Sequence, residues 1–533
     1  MHFVSLQFIL LIFFLLAVFY SVPRRFGWMA LLAGSVVFYA LSGPAYLIYL
    51  FTTIISAYLA SAYIGGRCAA RDEDMAREPE KNARKEAKAK AKRDCKRVLA
   101  LFMFVNIGML AVFKYTDFFI LNLNSLMNIR GSGGNLRLPG LAAPLGISFY
   151  TFQTSGYVID VYRERVKPEK NIFRLALFVS FFPQIIQGPI NRFGDLAKSL
   201  CADRAEGLRD AAARKNIAFG AYRVLWGFLK KIVIADRLYP AITHMMKGDN
   251  PIGGAYALIA IMLYAVTIFA DFTGGIDVTI GTAQMFGVKI TENFNRPFHA
   301  VSLADYWRRW HITMGTWFRD YVFYPLSVSK PMLAFSKRAR GVFGERIGRK
   351  LPVYVSMLSV WFLTGLWHNA TWNFIVWGLV NGAALLISQE LEPLYKRFNK
   401  RFAVSETVFY KAFRVARTFL LVAFIRSIDF YDGVSAAFWT IASVFTRFDI
   451  KELSNGLSGA GLSASGVYAA AAGLSLVAAV SVIQRKGADV RETLHSKSWP
   501  VRCAAVFLTV LVILVFGAYG EGYDARQFIY NQF

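Results

Sequence analysis

Residues 351–388 read LPVYVSMLSVWFLTGLWHNATWNFIVWGLVNGAALLIS, and their 38 positions hold no Asp, Glu, Lys or Arg. As one helix this run would be about 57 Å long at about 1.5 Å per residue, whereas the hydrocarbon core of a bilayer is only about 30 Å thick. The stretch must therefore fold back on itself. GLWHNATW, residues 365–372, lies at its midpoint, so the reading predicts an apolar hairpin that carries His368 near its turn. An ionisable group placed in a membrane segment is a functional candidate by default.

The rest of the chain has the same character. Of its residues 56% are hydrophobic, the mean hydropathy is +0.40, and apolar runs recur from end to end. None of them alternates, and they exceed the length of a barrel strand. The expected fold class is an all-α polytopic membrane protein with about a dozen transmembrane or re-entrant helices, forming one membrane domain over residues 1–533. The run at 3–22 lacks a basic leader and a small-residue cleavage site, and it reads as a retained first span.

A net charge of +27 would suggest nucleic acid if it clustered on a soluble face, but here it sits in short loops between apolar runs. That is the positive-inside pattern, and no nucleic-acid partner is expected. Residues 67–97 carry 12 Lys or Arg against 7 Asp or Glu, and residues 326–350 carry 7 against 1, so both should face the cytoplasm. The first of these basic loops is either a solvated helix or a docking surface for an acidic carrier protein or membrane lipid headgroups. Cys68, Cys95, Cys201 and Cys503 are scattered without metal-ligand spacing, and no metal site is expected.

Polar residues embedded in apolar stretches mark an interior. GISFYTFQTSGYVIDVYR and FFPQIIQGPINRF are interrupted by Pro and Gly and hold Gln153, Gln184 and Gln187. Broken helices at membrane depth persist only when buried in protein or lining a wet cavity, which makes Gln153 a candidate substrate contact. Asp271 and Asp277 flank a Gly-Gly pair in ADFTGGIDVTIGTAQMFG. Asp271 serves either as a substrate contact or as the partner of an arginine in the 296–319 segment.

The signature core extends over 293–388 and begins NFNRPFHAVSLADYWRRWHITMGTWFRDYVFYPL. From 303 to 321 Leu303, Trp307, Trp310, Met314, Trp317 and Tyr321 recur every three or four residues, which predicts one amphipathic helix. On that helix Arg308, His311 and Gly315 would share a face next to the apolar stripe. A neutral imidazole is the side chain suited to taking a proton from a hydroxyl that attacks a thioester. His368 is the candidate base, with His311, Asn369 or a backbone N–H as the donor to the developing oxyanion. Either histidine could instead be a packed core residue.

ENFNRPFHAVSLADYWRRWHITMGTWFRDYVFYPL and FLTGLWHNATWNFIVWGLVNG resemble the signature region of the membrane-bound O-acyltransferase family. The likeness is to its bacterial branch of polysaccharide O-acetylation and teichoic-acid D-alanylation proteins. GISFYTFQTSGYVIDVYR, FFPQIIQGPINRF, ADFTGGIDVTIGTAQMFG and the terminal FIYNQF follow in the order this branch shows. The resemblance implies helices around a funnel, a catalytic histidine at His368 and a second signature position at His311. It also implies transfer of an acyl group, acetyl in the alginate-type proteins, across the cytoplasmic membrane to a cell-surface polysaccharide or an extracytoplasmic acceptor protein. Acetyl-CoA, or another thioester, would act as a substrate with no bound cofactor. D-alanyl transfer to teichoic acid and a non-catalytic transporter or flippase are the alternatives.

Since 351–388 lies between two basic segments, both of its ends should face the cytoplasm. Single cysteines placed near 345 and near 400 should react with a membrane-impermeant maleimide from the same side. Labelling from opposite sides would exclude the hairpin.

Overall fold

The computed structural model describes residues 5–77, 80–129, 135–202, 208, 210–247, 253–402, 407–451 and 464–519. The terminal FIYNQF motif, most of the Gly/Ser-rich stretch at 454–466 and the centre of the 128–140 connection lie outside these residues. Among the described residues every regular element is helical. Among the described residues seven helices are long and apolar enough to cross a membrane, or eight if the pair Trp372–Glu390 and Glu392–Phe402, bent by 49°, counts as one span. The expectation of about a dozen segments exceeds this number because it included apolar runs that fold as shorter or broken helices. Leu6–Ser21 and Val434–Thr446 fall below spanning length, and the run from 172 divides into Ile172–Ser180 and Phe182–Ile185.

The chain groups into two compact units, Met1–Gly220 with Thr279–Thr291, and Ala221–Val278 with Glu292–Phe533. In the first unit the basic 67–97 region is helical on both sides of 78–80, as the ends of Leu47–Arg77 and Lys81–Ile129. Arg67 pairs with Asp94 at 3.3 Å across these two helices. Arg71 donates to both carboxylate oxygens of Glu164 at 2.7 and 2.9 Å, which holds that carboxyl below the usual carboxylate range. The break between Ser180 and Phe182 is packed by the aromatic rings of Phe8, Phe38 and Phe286, whose centroids lie 5.9–6.3 Å from Phe182 or each other.

Gln153 belongs to this unit. Its Nε2 donates to the Phe178 carbonyl at 2.8 Å and its Oε1 accepts from Gln184 at 2.5 Å, while Asn191 donates to Gln184 at 3.2 Å. This polar chain pairs Gln153, Gln184 and Asn191 with one another and with the Phe178 carbonyl, as buried polar groups require.

In the second unit the two aspartates of the Gly-Gly segment are neutralised by cations from 223–236, not by an arginine of 296–319. Lys231 Nζ reaches Asp271 at 2.7 Å and Asp236 at 2.6 Å. Lys230 reaches Asp277 at 2.5 Å, and Arg223 joins the same carboxylate at 2.8 Å. Two adjacent lysines can both point inward because Leu229–Ala235 is a π-helix, which rotates successive side chains differently from an α-helix. Glycine supplies the close approach, since a Cβ on Gly227 would lie 2.6 Å from the Gly274 carbonyl oxygen.

The charge-free run forms the expected hairpin. Lys330–His368 and Trp372–Glu390 pack against each other, joined by residues 369–371. The basic connector before it is helical as well and turns sharply at Gly344, where φ is +77°. A Cβ on Gly365 would fall 2.2 Å from the Phe374 carbonyl oxygen, and one on Gly378 would fall 2.3 Å from that of Trp361. Lys350 and Tyr354 both donate to Glu390 at the other end.

Gly378→Val should therefore lower stability by about 1–3 kcal/mol, the usual cost of overpacking. Gly315→Ala, where nothing lies within 4 Å of an added Cβ, should change it by less than about 0.5 kcal/mol. Thermal unfolding in detergent compares the two. Equal melting temperatures would show that the hairpin does not need the glycine contact.

Candidate active site

His368 is the last residue of its helix. Asn369 is extended, with φ −152° and ψ 146°, and ends the helix, and the Thr371 hydroxyl caps the next one by accepting from the Phe374 N–H. The tip is anchored by Asn373, whose Nδ2 donates to the Ile428 carbonyl at 2.9 Å. His368 is 4% exposed and is surrounded by aromatic rings, with Trp367, Trp377 and Phe374 at centroid distances of 4.8, 5.2 and 6.2 Å.

His311 does not sit inside a continuous helix. Leu303–Arg309 ends before it, Ile312–Phe318 begins after it, and His311 itself is left-handed at φ 47° and ψ 51°. A non-glycine residue in that region costs of order 1–3 kcal/mol unless its surroundings impose it. Asn293 imposes it here. Its carbonyl accepts from the Ile312 N–H at 2.9 Å, and its Oδ1 accepts from the Thr313 N–H at 3.1 Å and the Thr313 hydroxyl at 2.9 Å.

With two donors already on Oδ1, the Asn293 amide N–H2 is the group left to face His311 Nδ1, 3.3 Å away. Nδ1 is then the acceptor, and a neutral ring carries its proton on Nε2. The ring is 1% exposed, packs on Phe272 at 4.9 Å, and lies 6.5 Å from His368 between centroids. Two imidazoles at this spacing can both reach one reacting group in a site closed to bulk water.

The break at His311 corrects the expected single helix and separates the residues it was to align. The Arg308 side chain is 71% exposed and turns back toward Asp305, so it does not share a face with His311. Asp271 is turned to Lys231, while Phe272, its neighbour in the chain, touches His311. Asn369 is half-buried beside His368, its N–H bonded to the Gly365 carbonyl. Gln153 is held in the polar chain of the first unit.

Three further residues form a polar group against Trp377. Arg426 lies over the Trp377 ring at 5.2 Å and pairs with Asp429 at 3.0 Å, and the Tyr264 hydroxyl donates to Asp429 at 2.7 Å. All three are buried. Arg426 and Asp429 were missed because the 418–445 run reads as a simple span, although charges within such a run are themselves a signal. Among the described residues no group of three His, Cys, Asp or Glu side chains is placed to hold a metal ion.

Asn293→Ala removes the acceptor that Thr313 uses twice and the partner of His311. It should cost about 1–3 kcal/mol in stability and make His311 reactive toward diethyl pyrocarbonate, read by mass spectrometry of the labelled peptide. Unchanged melting and labelling would show that Asn293 does not hold the ring.

Residues 169–425 match the membrane-bound O-acyltransferase family. A probable alginate O-acetylase AlgI of Azotobacter vinelandii is 34% identical over 295 residues, 55% of this chain and 54% of that protein. A peptidoglycan O-acetyltransferase of Helicobacter pylori is 31% identical over 325 residues, 56% of this chain and 57% of that protein. A teichoic acid D-alanyltransferase of Bacillus subtilis is 29% identical over 261 residues, 48% of this chain and 61% of that protein. The chain thus spans little more than half the length of the relatives it matches. Across residues 169–425 the chain is similar to the membrane-bound O-acyltransferase family.

Proposed function

We propose that this multi-pass protein is an O-acyltransferase of the cytoplasmic membrane. It moves an acyl group, acetyl in the favoured reading, from a thioester donor such as acetyl-CoA to a hydroxyl of a cell-surface polysaccharide or an extracytoplasmic acceptor protein. The observation that carries this reading is the pair of buried imidazoles, 6.5 Å apart within an aromatic cage. The similarity to O-acetylating proteins supports acetyl over D-alanyl, since the D-alanyltransferase relatives are less similar.

In the proposed reaction His368 accepts the proton of the attacking hydroxyl as its oxygen bonds to the thioester carbon. The resulting oxyanion takes a hydrogen bond from the Nε2–H of His311, an interaction of the kind worth about 3 kcal/mol in a closed site. Collapse breaks the C–S bond, and the proton on His368 passes to the departing thiolate. Asn369, next to His368 in the chain, is the alternative donor to the oxyanion. Arg308 and Asp271 have no role in this scheme.

His368→Ala should fold normally and lose about 10²–10⁴ in transfer rate, the usual contribution of a general base. His311→Asn should be milder than His311→Leu, because an amide still donates. Acyl transfer by purified variants, with melting curves in parallel, measures both. A folded His368→Ala protein that kept more than about a tenth of wild-type turnover would remove His368 as the base. Absence of transfer with any thioester by the wild-type protein would favour a transporter.

A further inference from the structure

After the arm Trp372–Glu390 the chain bends by 49° and continues as the helix Glu392–Phe402, EPLYKRFNKRF. Leu394, Tyr395, Phe398 and Phe402 follow one another at spacings of one, three and four, which gathers them within an arc of about 100° on that helix. Lys396, Arg397, Lys400 and Arg401 occupy the rest of the circumference. No residue of the helix is buried, and the four apolar side chains are 41–55% exposed, so the protein leaves this face bare.

The segment before the hairpin has the same character. Residues 330–343 form the first part of Lys330–His368 and turn at Gly344. A Cβ on Gly348 would lie 2.4 Å from the Arg340 nitrogen, so this part folds back on the start of the span. Met332 and Ala339 are its buried side, while Val342 and Phe343 stay exposed. The two segments stand at one end of the hairpin, where Lys350 donates to Glu390 at 2.7 Å.

Both segments carry an excess of cations. Residues 330–350 hold seven Lys or Arg against one Glu, and residues 392–402 hold four against one. Arg349 takes Glu345 at 2.8 Å, and Lys396 takes Glu392 at 2.8 Å. Among the described residues no carboxylate pairs with Lys337, Arg338, Arg397, Lys400 or Arg401. Arg401 rests instead over the Phe402 ring at 5.7 Å, where the basic and apolar faces meet.

We propose that Glu392–Phe402 lies in the headgroup layer of the bilayer and binds anionic phospholipid, with Leu394, Phe398 and Phe402 at the acyl boundary and Arg397, Lys400 and Arg401 on the phosphates. Residues 330–343 extend the same surface. Continuity with the membrane arm selects this occupant, because a basic amphipathic helix that begins at the bilayer surface buries its apolar face among acyl chains. A soluble acidic protein would match the cations but leave the aromatic face in water, and a second copy would bring the same positive charge. Lipid satisfies both faces, since long basic side chains reach the headgroups from a helix at this depth. The arm Trp372–Glu390 has 19 residues, about 28 Å of helix, so fixing its basic end sets the depth of the tip that carries His368.

Hydrogen exchange read by mass spectrometry tests this on the full chain at one copy per nanodisc. Amides of 392–402 should exchange about fivefold or more slowly in discs containing phosphatidylglycerol than in discs of phosphatidylcholine alone, and high salt should reduce the difference. Arg397→Gln with Lys400→Gln and Arg401→Gln should abolish the difference between the lipids, and Leu394→Ser with Phe398→Ser should lose protection in both. All five side chains are exposed, so both variants should melt with the wild type. Lys85→Gln with Lys88→Gln should keep the full difference at 392–402. Equal exchange in the two lipids, a difference that survives the triple variant, protection that survives the serine pair, or protection that appears only at two copies per disc or only with added polyglutamate would overturn the assignment.

Discussion

The backbone contact between Gly365 and Phe374, repeated between Gly378 and Trp361, is the constraint on which the site depends. Within a bilayer the solvent gives no hydrophobic drive for helices to associate, so close van der Waals packing of small residues has to supply it. Because no side chain separates the two backbones, the hairpin has little freedom to slide or rotate. His368, one turn beyond the contact, inherits that rigidity. The links from Lys350 and Tyr354 to Glu390 close the far end, and Asn373 ties the tip to Ile428.

The second histidine is fixed by a different device. A strained backbone at His311 is held by hydrogen bonds to one side chain and one carbonyl of Asn293. Each such bond contributes about 1 kcal/mol net, so three of them offset a strain of order 1–3 kcal/mol. The same amide sets the ring tautomer, which makes Asn293 both the anchor and the orienting partner. The Arg426–Asp429 pair is not explained by stability in the same way, because a buried ion pair roughly cancels its own desolvation. Its placement against Trp377, and through Trp377 against His368, gives it a reason in the electrostatics of the site.

The hairpin was legible because the absence of charge over 38 residues cannot be reconciled with one span. The position of His368 at the tip was legible for the same reason, because GLWHNATW lies at the midpoint of that run. The break at His311 was not. The aromatic spacing of Trp307, Trp310, Met314 and Trp317 keeps a helical period across it, and no Gly or Pro marks the left-handed residue. The residue that imposes it lies 18 positions earlier. Lys230 and Lys231 were hidden for a related reason, since two adjacent cations on an apolar helix point inward together only when a π-turn intervenes. Arg426 and Asp429 were lost in the average hydropathy of their run.

The two histidines also occupy opposite ends of helices, and this separates their roles in the proposed reaction. His368 stands at the C-terminal end of Lys330–His368, where the carbonyl dipoles favour a cation. His311 stands at the N-terminal end of Ile312–Phe318, where the N–H dipoles disfavour one, and the buried guanidinium of Arg426 acts on it with the same sign. The effect of each terminus is modest, about 0.3–1 kcal/mol, and weaker for a helix of only seven residues. The dipoles of the two helix termini nevertheless differ in sign at the two rings, in the sense that the proposed division of roles requires.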